Sequence, residues 1–168
     1  MPIVYDKSRK IFHLQAGDTS YIMQIVKEKY LVHLYWGRRI SSYHESRRII
    51  WKDRGFAPNP DTSDRTFSLD TLPQEYPQTG NGDFRNPAYG IRQENGSRIS
   101  NLEYIGYEIS DGKPKLPGLP ASSGSKKDVQ TLKVYMEDAV AGLKVCLLYS
   151  VFASESVITR SVIFLNKG

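Results

Sequence analysis

Cysteine is almost missing from this 168-residue chain: Cys146 stands alone, so no internal disulfide can form. Cys146 sits in the apolar run "GLKVCLLYSVF", where a thiol is expected to be buried and inert. Long apolar runs are missing too. None approaches the ~20 residues that a membrane helix needs, and the start "MPIVYDKSRK" has no apolar signal region behind its basic residues. A cytoplasmic protein with no membrane partner is the expectation. Helical periodicity is scarce; only "SSYHESRRII", with Ser42 and Glu45 at capping-box spacing, predicts a short helical turn. Neither His13, His33 nor His44 has a second histidine or a cysteine at ligand spacing. "NPDTSD" sets Asp61 and Asp64 near Asn59 but lacks the glycine and closing glutamate of a calcium loop. No metal and no cofactor are expected. No Gly-x-Ser-x-Gly occurs and Cys146 has no base nearby in sequence, so no catalytic nucleophile is assigned.

What the chain does contain is strand periodicity. In "GLKVCLLYSVF", Leu143, Val145, Leu147, Tyr149 and Val151 share one face. Around "KVYMED", Leu132, Val134 and Met136 oppose Thr131, Lys133 and Tyr135, and "VITRSVIFL" puts Arg160 on one face with Ile158, Val162 and Phe164. A period of two marks sheets with one packed face. The short connections "DAVAG" and "ASES" predict antiparallel neighbours. "RKIFHLQ", "TSYIMQIV" and "YLVHLYW" predict a second meander, and Asn95-Gly96 predicts a hairpin between "PAYGIRQ" and "NLEYIGYEIS". The fold class is all-β: an antiparallel β-sandwich in one domain, residues 1–168.

Two stretches break the pattern, residues 52–87 and the proline- and glycine-rich 110–127, which read as long loops. The first repeats one chemistry in "WKDRGF", "SDRTF" and "GDFR": aspartate beside arginine, with an aromatic ring close by. Sugars are held by such groups, carboxylates accepting from hydroxyls, guanidiniums donating, and rings covering the apolar sugar face. Aspartate–arginine pairing that merely pins a loop would look the same in sequence. Gly80, Asn81 and Gly82 read as turn formers. The net charge of +5 is mild. The basic cluster Arg38, Arg39, Arg47, Arg48 and Lys52, with Tyr43 and Trp51 interleaved, lacks any nucleic-acid-binding motif, so no nucleic-acid partner is expected.

The segments "FHLQAGDTSYIMQI", "YLVHLYWGRRI", "APNPDTSDRTFSLDTLPQEYPQTGNGDFRNPAY" and "VITRSVIFLNKG" resemble, in colinear order, the N-terminal region of bacterial α-galactosidases of glycoside hydrolase family 36, the melibiose- and raffinose-cleaving type. The resemblance implies the first part of a β-supersandwich, galactose mutarotase-like, with a catalytic (β/α)8 barrel and a C-terminal β-domain outside this chain. Such enzymes release terminal α-linked galactose with retention, using two barrel carboxylates, the nucleophile within a Lys-Trp-Asp motif. "WKD" at residues 51–53 is the wrong order, so the chain by itself is expected to be inactive. The resemblance also implies partners: an α-galactoside substrate, the chain's own downstream barrel, and a homotetramer in which the loop of one subunit walls the pocket of another. Asp53, in "KDRGF", matches the aspartate that touches sugar. Arg65, Tyr76, Asp83 and Arg85 are further candidates for ligand or interface contact, with loop pinning favoured for Arg65 and Asp83. The alternative is a freestanding carbohydrate-binding or assembly module.

Overall fold

The computed structural model describes residues 1–44, 49, 51–56, 58–118 and 121–168. Eight strands follow in chain order: β1 (Ile3–Asp6), β2 (Ile11–Ala16), β3 (Thr19–Val26), β4 (Tyr30–Arg38), β5 (Glu103–Asp111), β6 (Val129–Asp138), β7 (Leu143–Phe152) and β8 (Val157–Asn166). They form two four-stranded antiparallel meanders, β1-β2-β3-β4 and β5-β6-β7-β8. Among the described residues there is no helix, hence none long and apolar enough to cross a membrane. The helical turn predicted around Ser42 and Glu45 falls partly on residues 45–48, outside the described residues, as do Arg47 and Arg48 of the basic cluster.

Alternation decides which side of each strand is packed. Phe12 and Leu14 of β2 and Met23 and Ile25 of β3 meet Leu132, Val134, Val145, Leu147, Tyr149 and Val151 of the second sheet in one buried cluster. Each fully buried aliphatic or aromatic side chain contributes roughly 1.5–3 kcal/mol relative to exposure. The first sheet is packed on its other face as well. Ile11, Ile22, Val32 and Leu34 form a second cluster with Phe67, Leu69 and Leu72, so the connection between β4 and β5 lies over that face as a third layer. On the same face His13 is buried and hydrogen-bonded to the Ser20 hydroxyl at 2.8 Å. Burial first, then the charge of Arg39, holds its imidazole below the ordinary histidine value.

Three expectations change in the structure. β1 pairs with β2 although only Ile3 of its four residues is buried, too short a pattern for periodicity to reveal. The segment before Asn95-Gly96 is not a strand. The turn itself forms, with Gly96 at φ +83° and its N–H donating to the Gln93 carbonyl at 2.9 Å. Tyr89, however, turns its hydroxyl to Ser100 at 2.5 Å and stacks on Tyr76, and β5 pairs with β6 instead. Cys146 is half-buried, not buried; it faces outward beside Tyr135, and burial still pushes its thiol up and away from reactivity.

Two local irregularities shape β4. It shifts register against β3 between Ile22 and Met23: Tyr21 faces Trp36 and Met23 faces His33, so the chain gains a residue at Leu34. A bulge of this kind re-aims side chains; it puts His33 and Trp36 on the same side of β4, where strict alternation would oppose them. The edge of β4 then accepts a short bridge from the covering loop, Val32 opposite Gln74. The His33 N–H donates to the Pro73 carbonyl at 2.8 Å and the Glu75 N–H to the Leu31 carbonyl at 3.0 Å.

Phe12 has no exposed surface and packs against Tyr5 and Tyr107 at centroid distances of 4.5 and 5.1 Å. Phe12→Ala is expected to cost about 3–5 kcal/mol, read as a lower midpoint in urea unfolding with the slope retained.

Candidate functional site

The loop of residues 52–87 is tied down by ion pairs and Asx turns. Asp61 and Asp64 each cap their own turn through Ser63 and Thr66, and both meet Lys27 Nζ, at 3.3 and 2.7 Å. Bonding to Lys27 and then Thr66 holds the Asp64 carboxyl down at about 2. Their oxygens are thus engaged by a cation of the chain. Arg54 reaches Asp70 at 2.8 Å, and the Asn59 amide donates to the Arg65 carbonyl at 2.9 Å.

Residues 80–83 make a tight reverse turn, Gly80 and Asp83 exchanging both backbone bonds at 3.1 and 3.0 Å. Asn81 and Gly82 take φ values of +49° and +86°, the left-handed pair such a turn demands. At Gly82 a Cβ would also overlap the Pro58 ring. Asp83, wholly buried, accepts from Arg85 Nε at 2.9 Å and Nη2 at 2.8 Å and from Gln74 at 2.7 Å. Burial pushes the Asp83 carboxyl up, but Arg85 and Gln74 outweigh it and hold it below the usual value. Arg85 also donates to the Leu69 and Leu72 carbonyls at 3.0 and 2.7 Å. Buried Asp83 and half-exposed Arg85 therefore hold the loop's shape between them.

The remaining sequence candidates separate. Tyr76 stacks on Tyr89 at 5.6 Å and leans on Phe164 at 6.5 Å, packed rather than displayed. Asp53 and Arg65 stand together on the outside, 3.4 Å apart and more than half exposed, 55% and 72%. Phe56 and Phe84 are exposed on the same loop. What the loop offers outward is one carboxylate steadied by one guanidinium, in a segment with two free aromatic rings.

A second constellation was not anticipated from the sequence. Glu75, delivered by the bridge at Gln74, enters the sandwich with its side chain only 2% exposed. The Tyr21 hydroxyl lies 2.7 Å from both carboxylate oxygens, the Tyr149 hydroxyl donates at 2.9 Å, and Arg160 pairs at 2.7 Å. His33 Nδ1 is 3.5 Å away, too far for a good hydrogen bond. Burial, reinforced by the Glu75 charge, drives both phenols well above the ordinary tyrosine value. Burial opposes the Arg160 charge, but Glu75 more than restores it. Outside this node lies a cleft of about 680 Å³ between β3–β4 and β7–β8, walled by Trp36, His33 and Ser156. One sequence signal pointed here: Arg160 on an apolar strand face needs a buried partner.

Similarity to known proteins is extensive. The model of the glycosyl hydrolase family 36 N-terminal domain matches residues 29–168. Alpha-galactosidase AgaA of Geobacillus stearothermophilus is 48% identical over 169 residues, taking in 100% of this chain and 23% of that protein. The crystal structure of alpha-galactosidase AgaB from the same organism superposes with a TM-score of 0.91 at 48% identity, over 100% of this chain and 23% of its own. A variant of AgaA in complex with raffinose gives a TM-score of 0.89 at 49% identity, over 95% of this chain and 22% of its own. The chain thus spans under a quarter of the length of these relatives.

Glu75→Ala removes the shared acceptor and leaves a guanidinium and two phenols facing each other. With Arg160 half exposed, the expected loss is about 3 kcal/mol, the lower end for a broken buried pair, measured by thermal or urea unfolding. The phenols give a second readout. A group whose folded pKa is raised contributes stability that is complete below its unfolded pKa, about 10 for tyrosine, and is lost as pH rises toward the folded value. Tyr21 and Tyr149 are therefore expected to stay protonated in an ultraviolet titration until alkaline unfolding begins. In Glu75→Gln they ionise at lower pH.

Proposed function

The chain belongs to the glycosyl hydrolase family 36 N-terminal domain family, and from that premise we propose that it is the non-catalytic N-terminal β-domain of an α-galactosidase. The observation that carries the reading is coverage: the whole chain aligns at 48% identity with a 23% segment of one such enzyme. The parent enzyme releases terminal α-linked galactose from oligosaccharides of the melibiose and raffinose type, with retention. Such chemistry needs two carboxyl groups about 5–5.5 Å apart on opposite sides of the glycosidic bond; those belong to the barrel of the larger polypeptide.

This domain supplies a wall. Asp53 accepts hydrogen bonds from sugar hydroxyls at the rim of the pocket, and Arg65 fixes its carboxylate and donates in turn. Support comes from their joint exposure at 3.4 Å while neighbouring Asp70 and Asp83 are occupied within the loop. Phe56 and Phe84, exposed beside them, seat the loop against a neighbouring domain or subunit of a homotetramer. The edge strand β8, whose Val162, Ile163, Phe164 and Leu165 are exposed, docks on the rest of the same polypeptide. A cytoplasmic location belongs to the same proposal.

In the complete enzyme, Asp53→Ala is expected to lower kcat/KM for a nitrophenyl α-galactoside by about tenfold or more, equivalent to at least about 1.4 kcal/mol. Unchanged kinetics would remove Asp53 from the pocket. The isolated chain is expected to show no turnover; hydrolysis by the purified 168-residue chain would overturn its non-catalytic role.

A further inference from the structure

The cleft outside Glu75 is not used by the proposed rim contact, which lies on the exposed loop around Asp53. Its volume of about 680 Å³ falls within the range of about 300–1,000 Å³ typical of small-molecule sites. Trp36 lines it yet leaves 73% of its surface exposed. The ring stands 6.3 Å from Tyr21 at 60°. The bulge at Leu34 is what brings it there beside His33.

The polar lining has a definite balance. The one carboxylate, Glu75, and the one guanidinium, Arg160, are paired with each other, so a charged ligand finds no net attraction. Glu75 already faces two phenols and Arg160 and is closed to ligands. Of the polar groups that remain, His33 Nδ1 is buried without a hydrogen-bond partner, and the others lie nearer the mouth. The Ser156 hydroxyl accepts from the Asp18 N–H at 3.1 Å and keeps its own proton to donate. Thr19 and the outer edge of the Arg160 guanidinium line the same opening. A free aromatic face, neutral overall charge and dispersed hydroxyl partners suit a neutral polyhydroxylated ring: its apolar C–H face lies on the indole and its hydroxyls meet the side chains around.

We propose that this cleft is a second carbohydrate-binding site, taking one neutral sugar unit of an oligosaccharide on Trp36. The ligand class follows from the cleft itself; using a galactoside as the probe rests on the function proposed above. Affinity is in the millimolar range, because a single ring face and a few exchangeable hydrogen bonds leave little surplus over the cost of association.

The complete polypeptide is titrated with a sulfur-linked, hydrolysis-resistant analogue of melibiose, and in parallel with glucuronate. Hydrogen–deuterium exchange is read on peptides spanning 30–38 and 156–162. The galactoside slows exchange in both at millimolar concentration, and Trp36→Ala raises the concentration required by about tenfold or more, with Trp36→Phe in between. Trp36 is exposed in this chain, and Trp36→Phe, which keeps a ring in place, separates loss of binding from loss of folding. No slowing by the galactoside, slowing indifferent to Trp36→Ala, or an equal effect of glucuronate would each overturn the site. Turnover of a nitrophenyl α-galactoside by the same preparation keeps the two proposals apart. An active enzyme with an unprotected cleft defeats only this one, and a protected cleft without turnover defeats only the enzyme assignment.

Discussion

One buried carboxylate joins the three layers of this molecule. Glu75 belongs to the covering loop, Tyr21 to the first sheet, and Tyr149 and Arg160 to the second, and the four meet within 2.9 Å contacts. Apolar packing alone would hold the sheets together but says little about where an irregular loop should end. A carboxylate withdrawn from water has no such tolerance: it is costly to bury unless its oxygens are met. The placement of the loop in this structure meets them. The bridge of Gln74 to the edge of β4 and the twin turns at Asp61 and Asp64 are ways of reaching that placement with the backbone satisfied.

The strands were legible because burial in a two-layer sandwich imposes a period of two, and the sequence keeps it wherever a strand is long and packed. Leu143 to Val151 and Leu132 to Met136 face inward as the alternation demands. Legibility failed where that constraint weakens. β1 contributes one buried side chain, below any periodic signal. The stretch before Asn95-Gly96 has a strand's composition, but Tyr89 is held there by a hydroxyl contact with Ser100 and by stacking on Tyr76, with no strand partner. Turn chemistry specifies the turn; it does not guarantee that the flanking chain pairs.

At the loop, the sequence showed which groups were present but not who would meet whom. Aspartate and arginine stand side by side in "KDRGF", yet Asp53 pairs with Arg65 and Arg54 with Asp70. Adjacent residues in extended chain point to opposite sides, so neighbours in sequence divide between two partners in space. Asp83 and Arg85, two apart, share a side and do pair. Glu75 was hidden for a different reason: its partners lie 54, 74 and 85 positions away. Nothing local distinguishes a glutamate bound for the core from one bound for water. The clue lay at the far end of the contact, in an arginine on an apolar strand face.

This separation of internal and outward groups bears on how such a domain can serve a larger enzyme. A loop that presents a carboxylate to a ligand must hold it within a fraction of an ångström, yet the presenting residue cannot spend its oxygens on holding itself. The loop carries the same chemistry several times over. Asp61, Asp64, Asp70 and Asp83 are consumed in fixing the loop, leaving Asp53 with a single exposed partner. The aspartate–arginine repeats that looked like one sugar-binding motif written several times are therefore two kinds of residue. Most are the frame, while Asp53, paired with the exposed Arg65, stands outside it.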